Sequence, residues 1–439
     1  MISEPIFYLT NDVSHGIGVE KLLPNYHIIC IDDHPLVTSL IEAGVRVLCL
    51  ERLLKRKNII FRSSGKLLEQ PEVANYIKEN SGSKTPNILY FKPSPKIDSL
   101  CRKRGYRRLG NTASLNRIFE DKISFYKICH TLGLAIPPGQ VANLAKADFR
   151  DLKEKYGPKV VIQFGRGWAG STTFFITDAD QFNRLKCRFG NLEAKITKFI
   201  NGKTVLNNCC VTRNEVLIGQ PAEQIPRISD FTAKEGATCG RIWPASLNRD
   251  QVLQLEEITR TTGEYMRQKG YLGYFGLDFL LSEEGEIYLS ENNARFTASA
   301  PFYSKLEIKN GSLPMALYHI SVFLGGPENM IKWQRKEVTG SEIVVRNNRS
   351  LPITIKKDFQ PGIYKLCNSL PKPVRSDYDV GGAKSESEFF LTAAAYGRIV
   401  NPEMELARLD TFASVREKDG KLADWAINLL KRLKKDLAG

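Results

Sequence analysis

Residues 274–298, YFGLDFLLSEEGEIYLSENNARFTA, decide how this chain is read. Two apolar runs, 274–281 and 286–291, flank a polar SEEG turn, the pattern of a β-hairpin. If Leu281 lies opposite Glu286, then Asp278 lies opposite Leu289. Alternation then puts Asp278, Leu280, Ile287, Leu289, Glu291, Asn293 and Arg295 on one side. That face is apolar near the turn and ends in two carboxylates, an amide and a guanidinium. On this register Asp278 and Glu291 are diagonal neighbours, with backbones about 7–8 Å apart, and their side chains can converge on one ion. Two carboxylates and an amide oxygen are hard donors suited to Mg²⁺ or Mn²⁺. The alternative is an ordinary hairpin with exposed acids. Against it, the acids continue the apolar face, where unpaired carboxylates would be costly.

A second signal lies upstream. Residues 159–164, KVVIQF, read as a strand, 165–171, GRGWAGS, as a loop, and 172–176, TTFFI, as another strand. The loop spells G-x-G-x-x-G, but a dinucleotide-binding turn would lead into a helix, so that reading fails its context. Glycines at a hairpin tip let backbone N–H groups approach phosphate oxygens and let the loop open and close. A flexible tip needs no ligand by itself. Beside a cation-binding hairpin it becomes half of a nucleoside triphosphate site.

The rest of the chain supports an enzyme-sized α/β protein. With 439 residues it has room for two to four domains. Short apolar strands at 6–9, 28–31, 45–49 and 88–91 alternate with helical stretches, which predicts a small parallel α/β domain. The first of these strands is followed by SHGIGVEK at 14–21, which lacks the third glycine of a dinucleotide fingerprint and reads as a tight strand-to-helix turn. A helix is expected over 111–132, further strands at 195–200, 205–211 and 215–218, and an amphipathic helix at 250–269. After Gly325-Gly326-Pro327 the character changes, and a basic helix at 422–437 closes the chain.

The formal charge of +15 invites a nucleic-acid reading. The basic runs at 52–57, 102–108 and 431–435 fall in three separate regions, however, and no RNA- or DNA-binding signature surrounds them, so solvated faces are the better account. No apolar stretch approaches the ~20 residues of a membrane span, so no membrane partner is expected. The N-terminus lacks the features of a secretory signal, and nine scattered cysteines without a CxxC pair fit a reducing cytoplasm.

With these residues in place the sequence resembles the ATP-grasp ligases over about 108–325. The resemblance implies an N-terminal α/β domain (1–110), an ATP-grasp domain (111–328) with a small nucleotide-clamping subdomain at about 134–202, and a C-terminal α+β domain (329–439). In EDK at 120–122, followed by GLAIP at 133–137, Lys122 would contact the ATP phosphates. The glycine loop nominates Arg166, Gly167, Gly170 and Ser171, and the linker ITKFING at 196–202 nominates Lys198 and Ile200 for the adenine. Asp278, Glu291 and Asn293 match the metal ligands in the pattern D…E-x-N-x-R, and Arg295 matches the arginine near the transferred phosphate. Two positions depart: Gln163 stands where the family usually has a lysine, with Arg166 a candidate replacement, and Thr197 stands where many relatives have an acidic residue.

The resemblance implies that a carboxylic acid and an amine, both small molecules, are joined through an acyl phosphate while ATP becomes ADP and phosphate. Region 219–244 is expected to line the acceptor site, with Arg227, Lys234 and Arg241 as carboxylate clamps. A solvated loop is the equal alternative. A protein kinase is disfavoured by the lack of HRD and DFG motifs. A biotin-carboxylase-like enzyme and a catalytically silent nucleotide-binding relative stay open, and so does a homodimer.

Overall fold

The computed structural model describes residues 2–165, 173–326, 333–417 and 420–438. Five short strands, β1 (Ile6–Thr10), β2 (Tyr26–Cys30), β3 (Arg46–Cys49), β4 (Asn87–Tyr90) and β5 (Arg107–Arg108), form a parallel sheet in the order β3-β2-β1-β4-β5. The order reverses between β1 and β4, and the carboxyl ends of strands at such a point form a crevice. Here that edge meets the rest of the molecule: Phe91, just after β4, lies under the Arg295 guanidinium at 5.1 Å, and Lys92 pairs with Glu120 at 2.9 Å. The loop after β1 is a packing element. Gly18 donates its N–H to the Glu20 carboxylate, and Glu20 pairs with Lys305 on the helix Ala300–Lys309.

A four-stranded antiparallel sheet follows, built from β6 (Gly139–Asn143), β7 (Val160–Phe164), β8 (Thr173–Ile176) and β9 (Glu193–Lys198) in the order β6-β9-β7-β8. Val160, Ile162, Phe164, Ala194 and Ile196 pack one face onto helices Phe149–Tyr156 and Ala179–Phe189. Val161, Gln163, Lys195 and Thr197 therefore point out of the other face.

The large antiparallel sheet begins with β10 (Gly202–Val211), β11 (Val216–Ile218), β12 (Ala222–Ile225), β13 (Gly240–Trp243), β14 (Gly273–Ser282) and β15 (Ile287–Asn293). It runs without a break from β13 into Gly340–Arg346 and on through Glu405–Thr411. Phe279, Leu281, Ile287 and Leu289 bury their side chains with Leu255, Ile258 and Met266 of the helix Arg249–Gln268. Each such side chain stabilises the fold by about 1.5–3 kcal/mol, which fixes the hairpin that carries the acids. That helix starts cleanly because Asn248 and Gln251 form a reciprocal capping box.

The span 111–132 is two helices rather than one, Ala113–Glu120 and Lys122–Thr131. Asp121 divides them: it is extended, and its side chain accepts from the N–H groups of Ile123 and Ser124, starting a new helix at Lys122. No helix among the described residues is long and apolar enough to cross a membrane, and all nine cysteines are unpaired, seven of them buried. Arg52, Arg108 and Lys431, one from each basic run, pair with Asp33, Asp98 and Asp230.

Candidate functional site

The hairpin β14–β15 forms, but its register differs from the expected one. Leu281 lies opposite Ile287, Leu280 opposite Tyr288 and Phe279 opposite Leu289. The ladder then shifts, so that Asp278 lies directly opposite Glu291 and Gly276 opposite Asn293. Ser290 is the extra residue of a β-bulge. The bulge inverts the alternation of β15, so Ile287 and Leu289 face the core while Glu291 and Asn293 join Asp278 and Leu280 on the other face. Asp278 and Glu291 are therefore cross-strand partners, not diagonal neighbours, and Ile287 and Leu289 leave the face assigned to them from the sequence. The turn is closed by Ser282 N–H to Glu286 at 2.8 Å, with Gly285 at φ +91°.

Asp278 accepts from Gln224 Nε2 at 2.9 Å through Oδ1 and from Asn293 Nδ2 at 3.0 Å through Oδ2. Glu291 accepts from Lys122 Nζ at 2.5 Å. Burial pushes the Asp278 carboxyl up to about 7, and the neighbouring Glu291 charge adds to it, against the pull of Arg241, Asn293 and Lys122. Two carboxylates held face to face, one of them destabilised in its charged form, make a donor set that a hard divalent cation would relieve. With Asn293 beside them the residues fit Mg²⁺ or Mn²⁺. Among the described residues there is no cluster of three or more His, Cys, Asp or Glu placed to hold a metal. The set is two acids and an amide.

Arg295 is held in one orientation. Its Nε donates to Glu120 at 3.0 Å, Nη1 to the Phe296 carbonyl at 2.9 Å and Nη2 to Asn293 Oδ1 at 2.9 Å. Burial works against the charge on Glu120, but Arg295 and Lys92 outweigh it and keep the carboxyl below its usual range. Lys122 is placed by its position at the first turn of its helix, where its backbone N–H also meets the Gly165 carbonyl at 3.2 Å. A Cβ at Gly165 would lie 2.4 Å from Asp121 Oδ2, so any larger residue would push that capping carboxylate aside.

The structure thus brings Lys122, Asp278, Glu291, Asn293 and Arg295 together. Arg166, Gly167, Gly170 and Ser171 lie outside the described residues. Gln163 is buried, and its Nε2 donates to Thr173 at 3.1 Å. Lys198 is exposed, with its N–H already donated to the Pro138 carbonyl at 2.8 Å, and Ile200 is half-buried on the way to β10. Of the three acceptor-site cations, Arg241 is in the electrostatic field of Asp278 and keeps a buried Nε with no partner, while its Nη1 pairs with Glu342. Arg227 is exposed, and Lys234 is half-buried in the field of Glu403.

Sequence reasoning missed three residues. Gln224 holds Asp278, and Glu120 holds Arg295. Lys195 is 3 % exposed and donates to the Ser290 carbonyl of the bulge at 3.0 Å. Burial pulls its ammonium down to about 8, against the attraction of Glu291. The available signal was alternation, since Ala194 and Ile196 claim the core and send Lys195 to the opposite face.

A small antiparallel sheet facing a larger one, with acids, amide and arginine at the far end of a hairpin, is the arrangement of the ATP-grasp fold, and residues 119–299 match the family model described as an ATP-grasp domain. The biotin carboxylase of Campylobacter jejuni, solved with an ATP analogue, has a TM-score of 0.65 and 15% identity, covering 94% of this chain and 87% of that one. The biotin carboxylase domain of Hydrogenobacter thermophilus 2-oxoglutarate carboxylase was solved as a dimer with MgADP, ADP and bicarbonate. It has a TM-score of 0.61 and 14% identity over 94% of this chain and 87% of that one. Among curated proteins the chain is similar to the carbamoyl phosphate synthase large chain of Ralstonia nicotianae, 23% identical over 205 residues, which is 45% of this chain. It spans only 18% of that relative's length.

Proposed function

We propose that this chain is an ATP-dependent ligase that joins a small carboxylic acid to an amine through an acyl phosphate, releasing ADP and phosphate. The direct opposition of Asp278 and Glu291 across the bulge, inside a domain of the ATP-grasp family, carries the proposal. Asp278, Glu291 and Asn293 would hold Mg²⁺ or Mn²⁺, which supplies charge neutralisation to the phosphate oxygens when bound. Lys122 would exchange Glu291 for a phosphate oxygen. Arg295, fixed by Glu120 and Asn293, would face the charge that develops as the carboxylate oxygen attacks the γ-phosphorus. When the amine then attacks the acyl carbon, the same guanidinium would steady the tetrahedral oxyanion until phosphate leaves. Arg241, through its free Nε, is the best placed of the three acceptor-site cations to clamp the acid. Arg166, Gly167, Gly170 and Ser171 stay assigned to the phosphates, and Lys198 and Ile200 to the adenine edge. Nine unpaired cysteines support a cytoplasmic setting, and a homodimer is part of the same proposal.

The test is ADP release across a panel of acids paired with amines. Turnover that needs both partners supports the ligase. Nucleotide binding with no ADP formed across the panel would point to a silent binding protein. Bicarbonate belongs in the panel as an acid, because the likeness to the two biotin carboxylases extends over 94% of this chain. ADP release that needs bicarbonate would favour a carboxylating enzyme.

A further inference from the structure

A triphosphate brings about four negative charges into a site, and the cations already described are largely engaged. Lys122 is paired with Glu291, and Arg295 with Glu120, Asn293 and a backbone carbonyl. Gln163 contributes no charge. Directly across the sheet from it, however, stands a lysine: Gln163 and Lys195 are register partners in the antiparallel pair β7–β9, so both side chains leave the same face. Tyr126, one turn after Lys122 on the same helix face, lies 5.4 Å from the Lys195 ammonium. Among the described residues the hydrogen bond of that ammonium goes to the neutral Ser290 carbonyl, next in sequence to Glu291. Among the described residues no carboxylate lies within ion-pairing distance of Lys195. A buried ammonium without a counter-ion is costly, and an anionic ligand entering here would remove that cost.

We infer that Lys195 is a phosphate-binding residue for the nucleotide, carrying on β9 the positive charge that Gln163 does not supply on β7. This deepens the proposed function and rests on the nucleotide site of that reading. The two strands are hydrogen-bonded neighbours, so a long, flexible lysine rooted on either one reaches the same volume above the sheet. The Ser290 contact gives Lys195 a second consequence. The residue that would hold the phosphates also grips the bulge that aligns Glu291 with Asp278, so phosphate and cation sites share one anchor.

The experiment compares binding of ATP and of adenosine to the full chain by calorimetry in the presence of Mg²⁺. Lys195→Met keeps the length of the side chain and removes its charge. ATP affinity should fall roughly tenfold to a hundredfold, the range of a charge-assisted hydrogen bond, while adenosine affinity stays unchanged. Gln163→Lys introduced into the Lys195→Met background should recover most of the loss, because it moves the charge back across the strand pair. Unchanged ATP affinity in Lys195→Met overturns the inference. So does equal weakening of ATP and adenosine without recovery by Gln163→Lys, the behaviour of a lysine that only pins the bulge. Failure of the unsubstituted chain to bind ATP at all would instead overturn the nucleotide site itself. If Lys195→Met does not fold, Lys195→Gln and Gln163→Lys alone serve: the first should weaken ATP selectively, and the second should strengthen it.

Discussion

Two buried charge clusters on the large sheet adjoin at Arg241, which pairs with Glu342 and also acts on Asp278, and they are built on different principles. In one, Glu342 is fully buried between Arg241 and Arg408, and Arg408 also grips Glu405 through two bonds of 2.7 and 2.9 Å. Two arginines answer two glutamates, so every charge of the four has an ion-pair partner, although Arg241 keeps a buried Nε unbonded. In the other, Asp278 faces Glu291, a single lysine, Lys122, pairs with Glu291, and Lys195 nearby is bonded to a neutral carbonyl. Among the described residues, neither Asp278 nor Lys195 of this second cluster has an ion-pair partner: both meet only neutral groups. A set of buried charges that closes internally holds the fold, whereas one that stays open fits a ligand.

The closed cluster should show the largest effect on stability. Glu342→Ala leaves the Arg241 guanidinium without its ion-pair partner and leaves Arg408 only Glu405, and breaking such a buried pair costs about 3–5 kcal/mol. Urea unfolding should show that loss, and a change under 1 kcal/mol would break the contrast. The open cluster should show its largest effect on turnover. Asp278→Asn or Glu291→Gln should lower ADP formation by about two to three orders of magnitude, and chelation with EDTA should do the same, with circular dichroism unchanged. Glu120→Gln should act more mildly. It loosens Arg295 without touching the substrates, and residues that orient a functional group in this way typically cost about 10–100-fold. The loss should fall on kcat, with KM for ATP little altered.

How far the sequence reveals these clusters depends on what each residue's position requires. Asp278, Glu291, Asn293 and Arg295 are legible because they end an alternating hairpin, and alternation is a local rule. The bulge at Ser290 is not, since a serine in a strand carries no mark of being the extra residue, and one uncounted residue turned Ile287 and Leu289 to the wrong face. The break at Asp121 has a local signature, a capping aspartate before a new turn, but the continuous apolar pattern on both sides hid it. Lys195 is harder, because a buried lysine is spelled like an exposed one. Only the pairing of β9 with β7 sets it opposite Gln163. Arg241 differs from Arg227 and Lys234 for the same reason. All three sit within 227–241, yet only the one on a central strand reaches Asp278.

The contrast is sharpest in the stability of the metal-free protein, where the two clusters should respond to neutralisation with opposite signs. Burial and Glu291 raise the Asp278 carboxyl to about 7 in the folded chain, whereas in the unfolded chain it returns to about 4. The folded state therefore holds the proton more tightly. The stabilisation from that proton is complete below about pH 4 and is lost as the pH rises through 7. Thermal unfolding without metal should accordingly show a component that weakens from about pH 4 to about pH 7 and levels off above it. In Asp278→Asn this component should vanish, leaving the variant more stable than the unsubstituted chain at pH 8 by an amount on the order of 1 kcal/mol. Saturating Mg²⁺ should reverse the ranking, because only the unsubstituted chain gains from the cation. If Asp278→Asn instead lost stability at pH 8 as Glu342→Ala does, Asp278 would be part of a structural network, and the distinction between an open and a closed cluster would collapse.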